Sequence, residues 1–247
     1  MNKSRALKTR WLMGVALAGV VAAIAPVGGA KANDASRIAA LKAKIARLSH
    51  EAEIVDDTNK IENLQMAYGY YLDRGYWDEA ADLFAADATA EFGDDGVYVG
   101  QDRIRKLIKL YGGGNPGPRL PYGQYYHHMQ LQPVVDVAPD GMTAKGRWRE
   151  FTLLGQFHEY AKWAAGIFEN EYVKQDGVWK IKKMHYYQTF VAPYKGGWAS
   201  LKPVKGDDWA SEVAKKFPPD GPPTTKYKPF PNIYVPPFHY KNPVTGK

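Results

Sequence analysis

The sequence predicts an α+β domain over residues 57–192, with a curved antiparallel sheet wrapped around helices that precede it in the chain. Three observations carry the prediction. Apolar residues at helical spacing come first, long segments of alternating polarity come afterwards, and Pro139-Asp140-Gly141 and Asp176-Gly177 join those segments as tight hairpins. Helices first and a strand meander second is the order of an α+β fold.

Residues 1–32 are set apart as an export signal. Lys3, Arg5, Lys8 and Arg10 make a basic start, and Trp11 to Ala25 is an apolar run too short for an ordinary membrane anchor. Ala30-Lys31-Ala32 supplies the small residues a signal peptidase reads, which puts cleavage before Asn33. An exported, periplasmic protein is expected, with no membrane association after cleavage.

Residues 33–56 follow as a separate helix. Ile38, Leu41, Ile45, Leu48, Ala52 and Val55 are spaced 3-4-3-4-3, a heptad seam that either pairs with another subunit, as a homo-dimer or homo-trimer, or folds back on its own domain. Asp56, Asp57 and Thr58 offer capping residues for a second helix that buries Ile61, Leu64, Tyr68, Tyr71 and Leu72 and ends at Gly75. Trp77 to Ala86 reads as a short helix, Ala88 to Phe92 and Val97 to Val99 as strands, and Gln101 to Tyr111 as a helix. A Gly/Pro-rich loop from Gly112 to Pro121 leads into four long strands: Tyr125 to Val137, Thr143 to Leu154, Tyr160 to Lys174 and Val178 to Thr189. Residues 193–247 hold 11 of the 17 prolines, and Trp198, Trp209, Phe217, Phe230, Tyr234, Phe238 and Tyr240 make this stretch too aromatic for a solvated tail. It is expected to lie as an arm over the domain or a neighbour.

Net charge is +7, but five of the basic residues and no acidic ones fall in the export signal, leaving +2 for the rest. The remaining Lys and Arg are interspersed with acids, so a nucleic-acid partner is not expected. The chain has no cysteine, which excludes disulfides and thiolate metal sites and leaves stability to an ordinary core.

The run from Ile61 through Tyr68-Gly69-Tyr70-Tyr71-Leu72-Asp73 and Trp77-Asp78 to Ala88, followed by Val97-Tyr98-Val99-Gly100, resembles the SnoaL-like group of the nuclear transport factor 2-like superfamily. His128 before Pro133-Val134-Val135-Asp136-Val137, Thr143 to Trp148, and Asp176-Gly177-Val178-Trp179 carry the likeness on. The resemblance implies a cone whose curved sheet encloses an apolar pocket, a fold that hosts isomerases, dehydratases, cyclases, hydrolases and binders. Leu72-Asp73-Arg74-Gly75-Tyr76-Trp77-Asp78 is similar to the setting of the acid/base aspartate in scytalone dehydratases, and His128 stands where their first histidine does. Their second histidine falls near Ala165 here, so the two-histidine set is incomplete. The superfamily also includes cofactor-independent γ-formaldehyde lyases acting on lignin-derived diaryl compounds.

Asp73 and His128 are therefore the candidate acid/base pair, each altering the other's proton affinity. His127 and His128 are adjacent on a strand and point to opposite faces, so only one lines the pocket. No carboxylate or third histidine stands at a ligand spacing, and neither a metal nor another cofactor is expected. Glu150 shares the inner face of its strand with Ala144, Gly146, Trp148 and Thr152, as either a catalytic base or the partner of an arginine or tyrosine. His185 shares a face with Trp179, Ile181, Lys183 and Tyr187, and is either a replacement for the missing histidine or a hydrogen-bonded core residue. Tyr68, Tyr71, Tyr125, Trp148, Tyr172 and Tyr187 are the candidate ring faces and hydroxyls for binding a small aromatic substrate. The expected activity is a cofactor-independent lyase, by dehydration or by retro-aldol-type loss of formaldehyde. The alternatives are a non-catalytic binding protein and an isomerase that shifts a proton within a bound ketone.

Overall fold

The computed structural model describes residues 30–206 and 208–247. The export segment lies outside the described residues except for the backbone of 30–32, which begins a helix. Among the described residues no helix is long and apolar enough to cross a membrane. The chain divides into two units, Met1–Arg47 and Leu48–Lys247. In the first, residues 33–47 are helical and exposed.

Asp56, Asp57 and Thr58 do not start a second helix; they lie inside one continuous helix, α1 (Ala30–Arg74). Thr58 Oγ1 donates to the Ile54 carbonyl at 2.9 Å, bonding back into the preceding turn instead of capping a new one. Asp57 is buried and accepts from Lys174 Nζ at 2.5 Å and Trp179 Nε1 at 2.9 Å. Its partners come from distant strands, so its acidity serves the tertiary fold. The seam residues Ile38, Leu41, Ile45, Leu48 and Val55 are between 47% and 63% exposed.

Leu48–Lys247 holds the rest. After α1 come α2 (Trp77–Asp82), β1 (Phe84–Phe92), β2 (Val97–Val99), α3 (Gln101–Tyr111) and four long strands, β3 (Gln124–Val137), β4 (Thr143–Gln156), β5 (Tyr160–Gln175) and β6 (Val178–Pro193). α2 is shorter than its periodicity suggests, and β1 begins at Phe84. The reason is tertiary: Phe84 pairs with Ile181 of β6, whose N–H donates to the Leu83 carbonyl at 2.9 Å. The sheet order is β2-β1-β6-β5-β4-β3. β1 runs parallel to β6, and the other neighbouring pairs are antiparallel.

Ile61, Leu64, Tyr68 and Leu72 form the buried stripe of α1 and pack with Trp148, Phe168, Ile181 and Met184 from the sheet. The spacing of that stripe is what seats the helix in the concave face. Two register shifts between β5 and β6 leave Lys182 and Thr189 without opposite residues. Each extra residue reverses the strand's facing. Trp179 and Ile181 point into the core, and beyond Lys182 it is Met184 and Tyr186 that do so.

Residues 194–206 and 208–247 form an arm against this same domain. Phe230 N–H donates to the Thr189 carbonyl at 2.8 Å, the Tyr98 hydroxyl to the Phe217 carbonyl at 2.7 Å, and Thr224 N–H to Glu91 at 2.8 Å. Arg147, on the outer face of β4, donates to the Pro236 and Pro237 carbonyls at 3.3 Å and lies over the Phe238 ring. A short helix, α4 (Glu212–Lys216), is capped by Ser211, whose Oγ accepts from the Val213 and Ala214 N–H groups.

Candidate functional site

α1, α3 and the inner sheet face surround a cavity of about 450 Å³. Its lining includes the aromatic side chains of Tyr68, Trp77, Phe92, Tyr126, Phe168 and Tyr186, and its polar members include His128 and Glu150 together with Asp94, Asp95, Thr152, Lys162, Gln188 and Ser211. A cavity of this size and lining suits a small apolar ligand oriented by a few polar groups.

Asp73 is buried at the end of α1, and β3 crosses it. Its Oδ1 accepts from the His128 backbone N–H at 2.6 Å and lies 3.1 Å from the ring Nδ1. His127 Nδ1 lies 3.4 Å from the other oxygen, so both histidines reach Asp73 although only His128 lines the cavity. Asp73 itself does not line it. The close approach of helix to strand depends on Gly69, where an added Cβ would meet the His128 carbonyl oxygen at 2.6 Å.

Glu150 is held from below by a chain of buried polar groups. Trp148 Nε1 donates to the Tyr172 hydroxyl at 2.8 Å, which donates to Gln65 Oε1 at 2.8 Å. Gln65 Nε2 donates to Gln130 Oε1 at 2.8 Å, and Gln130 Nε2 donates to Glu150 Oε1 at 3.0 Å. Such a chain specifies one orientation for its last member. Burial pushes the Glu150 carboxyl above its ordinary range, and the neighbouring His128 and the hydrogen bonds only partly offset this. Burial, together with the nearby Glu150, likewise pushes the Tyr68 and Tyr186 hydroxyls up. In the β3–β4 ladder Gln130 opposes Glu150 and His128 opposes Thr152. His128 and Glu150 are thus diagonal neighbours on the inner face, about 7 Å apart.

Among the sequence candidates, Asp73, His128, Glu150 and Tyr68 are brought to this region, and the others are not at the cavity wall. Trp148 and Tyr172 sit deeper, as members of the chain that supports Glu150. Tyr71 is partly buried and packs against the core. Tyr125 is 53% exposed and stacks with His127, because a strand that turns His128 inward turns both 125 and 127 outward. His185 and Tyr187 lie on the reverse face of β6, stacked 3.9 Å apart, since the extra residue Lys182 inverts the phase set by Trp179 and Ile181. Buried there, His185 has its pKa pushed down to about 4 by desolvation and by the nearby Lys183 charge. On β5, Ala164, the neighbour of Ala165, lines the cavity.

The sequence places Thr152 on the inner face with Glu150 without naming it as a site residue, and it does not mark Tyr126 and Tyr186, or Trp209 and Ser211 from the arm, as cavity residues. Tyr126 was accessible through its spacing of two from His128, and Thr152 through its spacing from Glu150. No pattern marks Tyr186, which owes its facing to the irregularity at Lys182, or the two arm residues.

A SnoaL-like domain profile matches residues 53–185, more than half of the chain. Among solved structures, a protein assigned as a scytalone dehydratase from Novosphingobium aromaticivorans superposes with a TM-score of 0.50 at 22% identity, covering 58% of this chain and 91% of that one. LinA superposes with a TM-score of 0.51 at 18% identity, covering 60% and 95%. The hexachlorocyclohexane dehydrochlorinase LinA-type3 from Novosphingobium barchaimii gives 0.50 at 16% identity, covering 63% and 99%. At these identities the likeness is one of fold. Comparison with curated proteins finds no match.

Proposed function

This chain belongs to the SnoaL-like domain family, within the nuclear transport factor 2-like superfamily, and on that premise we propose that it is a cofactor-independent lyase acting on a small hydroxylated aromatic compound in the periplasm. The observation that carries the reading is the placement of two proton-handling groups in one aromatic-walled cavity, His128 tied to Asp73 at 3.1 Å and Glu150 with its acidity weakened by burial.

The two groups divide the work by environment. Asp73 accepts the Nδ1 proton, which leaves Nε2 of His128 as the basic nitrogen. A buried carboxyl with a raised pKa holds its proton further toward neutral pH, so Glu150 is the acid. His128 would take a proton from a substrate C–H or O–H, and Glu150 would deliver one to the departing hydroxyl, which leaves as water. If the proton comes from carbon, its bond electrons form a C=C bond and the reaction is a dehydration. If it comes from a primary alcohol one carbon further on, the O–H electrons form the carbonyl of formaldehyde. The cleaved C–C pair then becomes the new double bond as water departs. Each route consumes one proton and returns one, so no oxidant or reductant is required.

The dehydratase and dehydrochlorinase assignments of the similar folds are eliminations and support the reaction class; the aromatic wall supports the substrate class. The test is incubation with hydroxylated aromatics, including lignin-derived two-ring diols, while formaldehyde and the ultraviolet absorbance of a new conjugated double bond are followed. Turnover by the wild type and its loss in His128→Ala is the expected result. Full turnover by both His128→Ala and Glu150→Gln would overturn the assignment, and tight binding without turnover would leave the protein a binder.

A further inference from the structure

α1 carries two apolar stripes, and only one of them is buried. Ile61, Leu64, Tyr68 and Leu72 pack into the sheet. The earlier seam, Ile38, Leu41, Ile45, Leu48, Ala52 and Val55, advances at about 100° per residue and falls roughly 180° round the helix from that stripe. All six of its residues are exposed. The seam is also bounded, because Asp34 before it and Asn59 and Glu62 after it occupy the next positions of the same heptad pattern. A bounded row of aliphatic side chains in water at heptad spacing is a surface that another helix covers.

Charge decides which helix and in which direction. With the seam at the core positions, the flanking positions are Arg37, Lys42 and Lys44 in its first half and Ser49, Glu51 and Asp56 in its second. One half is basic and the other is acidic or neutral. Two parallel copies would set Arg37 against Lys42 and Glu51 against Asp56, each contact occurring twice and each repulsive. Two antiparallel copies set Lys44 against Glu51 of the other copy, again twice, while Lys42 meets Ser49 and Arg37 meets Thr58. No like charges are then opposed. The core positions agree: in the antiparallel pair Ile38 meets Val55, Ile45 meets Leu48, and the small Ala52 meets the large Leu41. In a parallel pair Ala52 would face Ala52 and leave a gap.

We propose that residues 38–55 of α1 are a self-association surface, covered by the same segment of a second copy of this chain lying antiparallel to it. The two-fold axis passes between Ala46 and Arg47, and the shared segment is about 27 Å long. The contact is isologous and closes as a dimer.

The chain has no cysteine, so introduced ones report the orientation. The protein carrying Ile38→Cys and the protein carrying Val55→Cys are mildly oxidised, each alone and mixed, and run on a non-reducing gel. Covalent dimer is expected from the mixture and little from either variant alone, since equivalent positions of the two copies lie ~26 Å apart in the antiparallel pair. Sedimentation equilibrium gives a second readout. Lys44→Glu is expected to weaken the dimer ~10-fold, and Lys44→Glu combined with Glu51→Lys to restore it. A parallel pair, in which Lys44 meets Ser49, would show neither effect. Combining Ile45→Asp with Leu48→Asp is expected to leave monomer; should that variant unfold, the charge exchange carries the test without touching the seam. A wild type that is monomeric at every concentration, self-linking of Ile38→Cys in preference to the mixture, or a dimer that survives the two aspartates would each overturn the proposal. None of these readouts depends on activity.

Discussion

His128 meets Asp73 twice, through its backbone N–H at 2.6 Å and through ring Nδ1 at 3.1 Å from the same carboxylate oxygen. The first contact fixes where β3 crosses the end of α1. With the carboxylate accepting, the second favours the tautomer with its proton on Nδ1 and leaves Nε2 as the basic nitrogen. One carboxylate thus determines both the place and the chemical state of the proposed base.

Removing the base should therefore cost more than removing its partner. His128→Ala is expected to lower kcat by ~10³-fold and Asp73→Asn by ~10²-fold, within the range for general base catalysis. Substrate binding should change little in the first case. Steady-state kinetics with calorimetric binding on the same variants measures both.

Glu150 links activity and stability to pH in opposite senses from an ordinary surface carboxylate. Its pKa is raised in the folded protein above the ordinary 4.5, so the folded state keeps a proton that the unfolded chain has lost. Stability from this group is complete below the unfolded value and declines as pH rises through the folded one. Glu150→Gln should be inactive yet more stable than the wild type at pH ~8, with the difference vanishing below pH ~4. Urea titrations at the two pH values check the sign.

Asp57 behaves the other way. Burial would raise its pKa, but the bonds from Lys174 and Trp179 and the charges of Lys174 and Lys60 outweigh it and hold the pKa below 3.8. Its contribution is present above that value and lost as pH falls through the lower folded pKa. Asp57→Asn is expected to destabilise by about 1–3 kcal/mol at pH ~7. Denaturant unfolding should show the gap narrowing in acid.

Gly69→Ala tests the helix–strand approach at the site. A methyl group 2.6 Å from the His128 carbonyl oxygen must push β3 and α1 apart. A loss of about 1–3 kcal/mol is expected from overpacking, accompanied by reduced turnover as His128 leaves Asp73. Ala substitution at the exposed Tyr70 should affect neither, which thermal melts and activity together would establish.

The helical stripe of Ile61, Leu64, Tyr68 and Leu72, the Asp-Gly hairpins and the alternation along β4 were legible in the chain because each depends on local periodicity, and they led directly to the α+β fold and to the inward face of Glu150. The likeness around Asp73 and His128 marked a pair that the fold does bring into contact. What the sequence could not display were features set by strand register or by partners distant in the chain. Asp57 and Thr58 look like a helix start until Lys174 and Trp179 arrive to claim the carboxylate. His185 and Tyr187 keep perfect alternation with Trp179, but the single unopposed residue Lys182 sends them to the reverse face and brings Tyr186 to the cavity. The arm's Trp209 likewise reaches the cavity only when Asp94 and Gly93 receive it. Periodicity determines which residues share a face; register and long-range hydrogen bonds decide which face becomes the site.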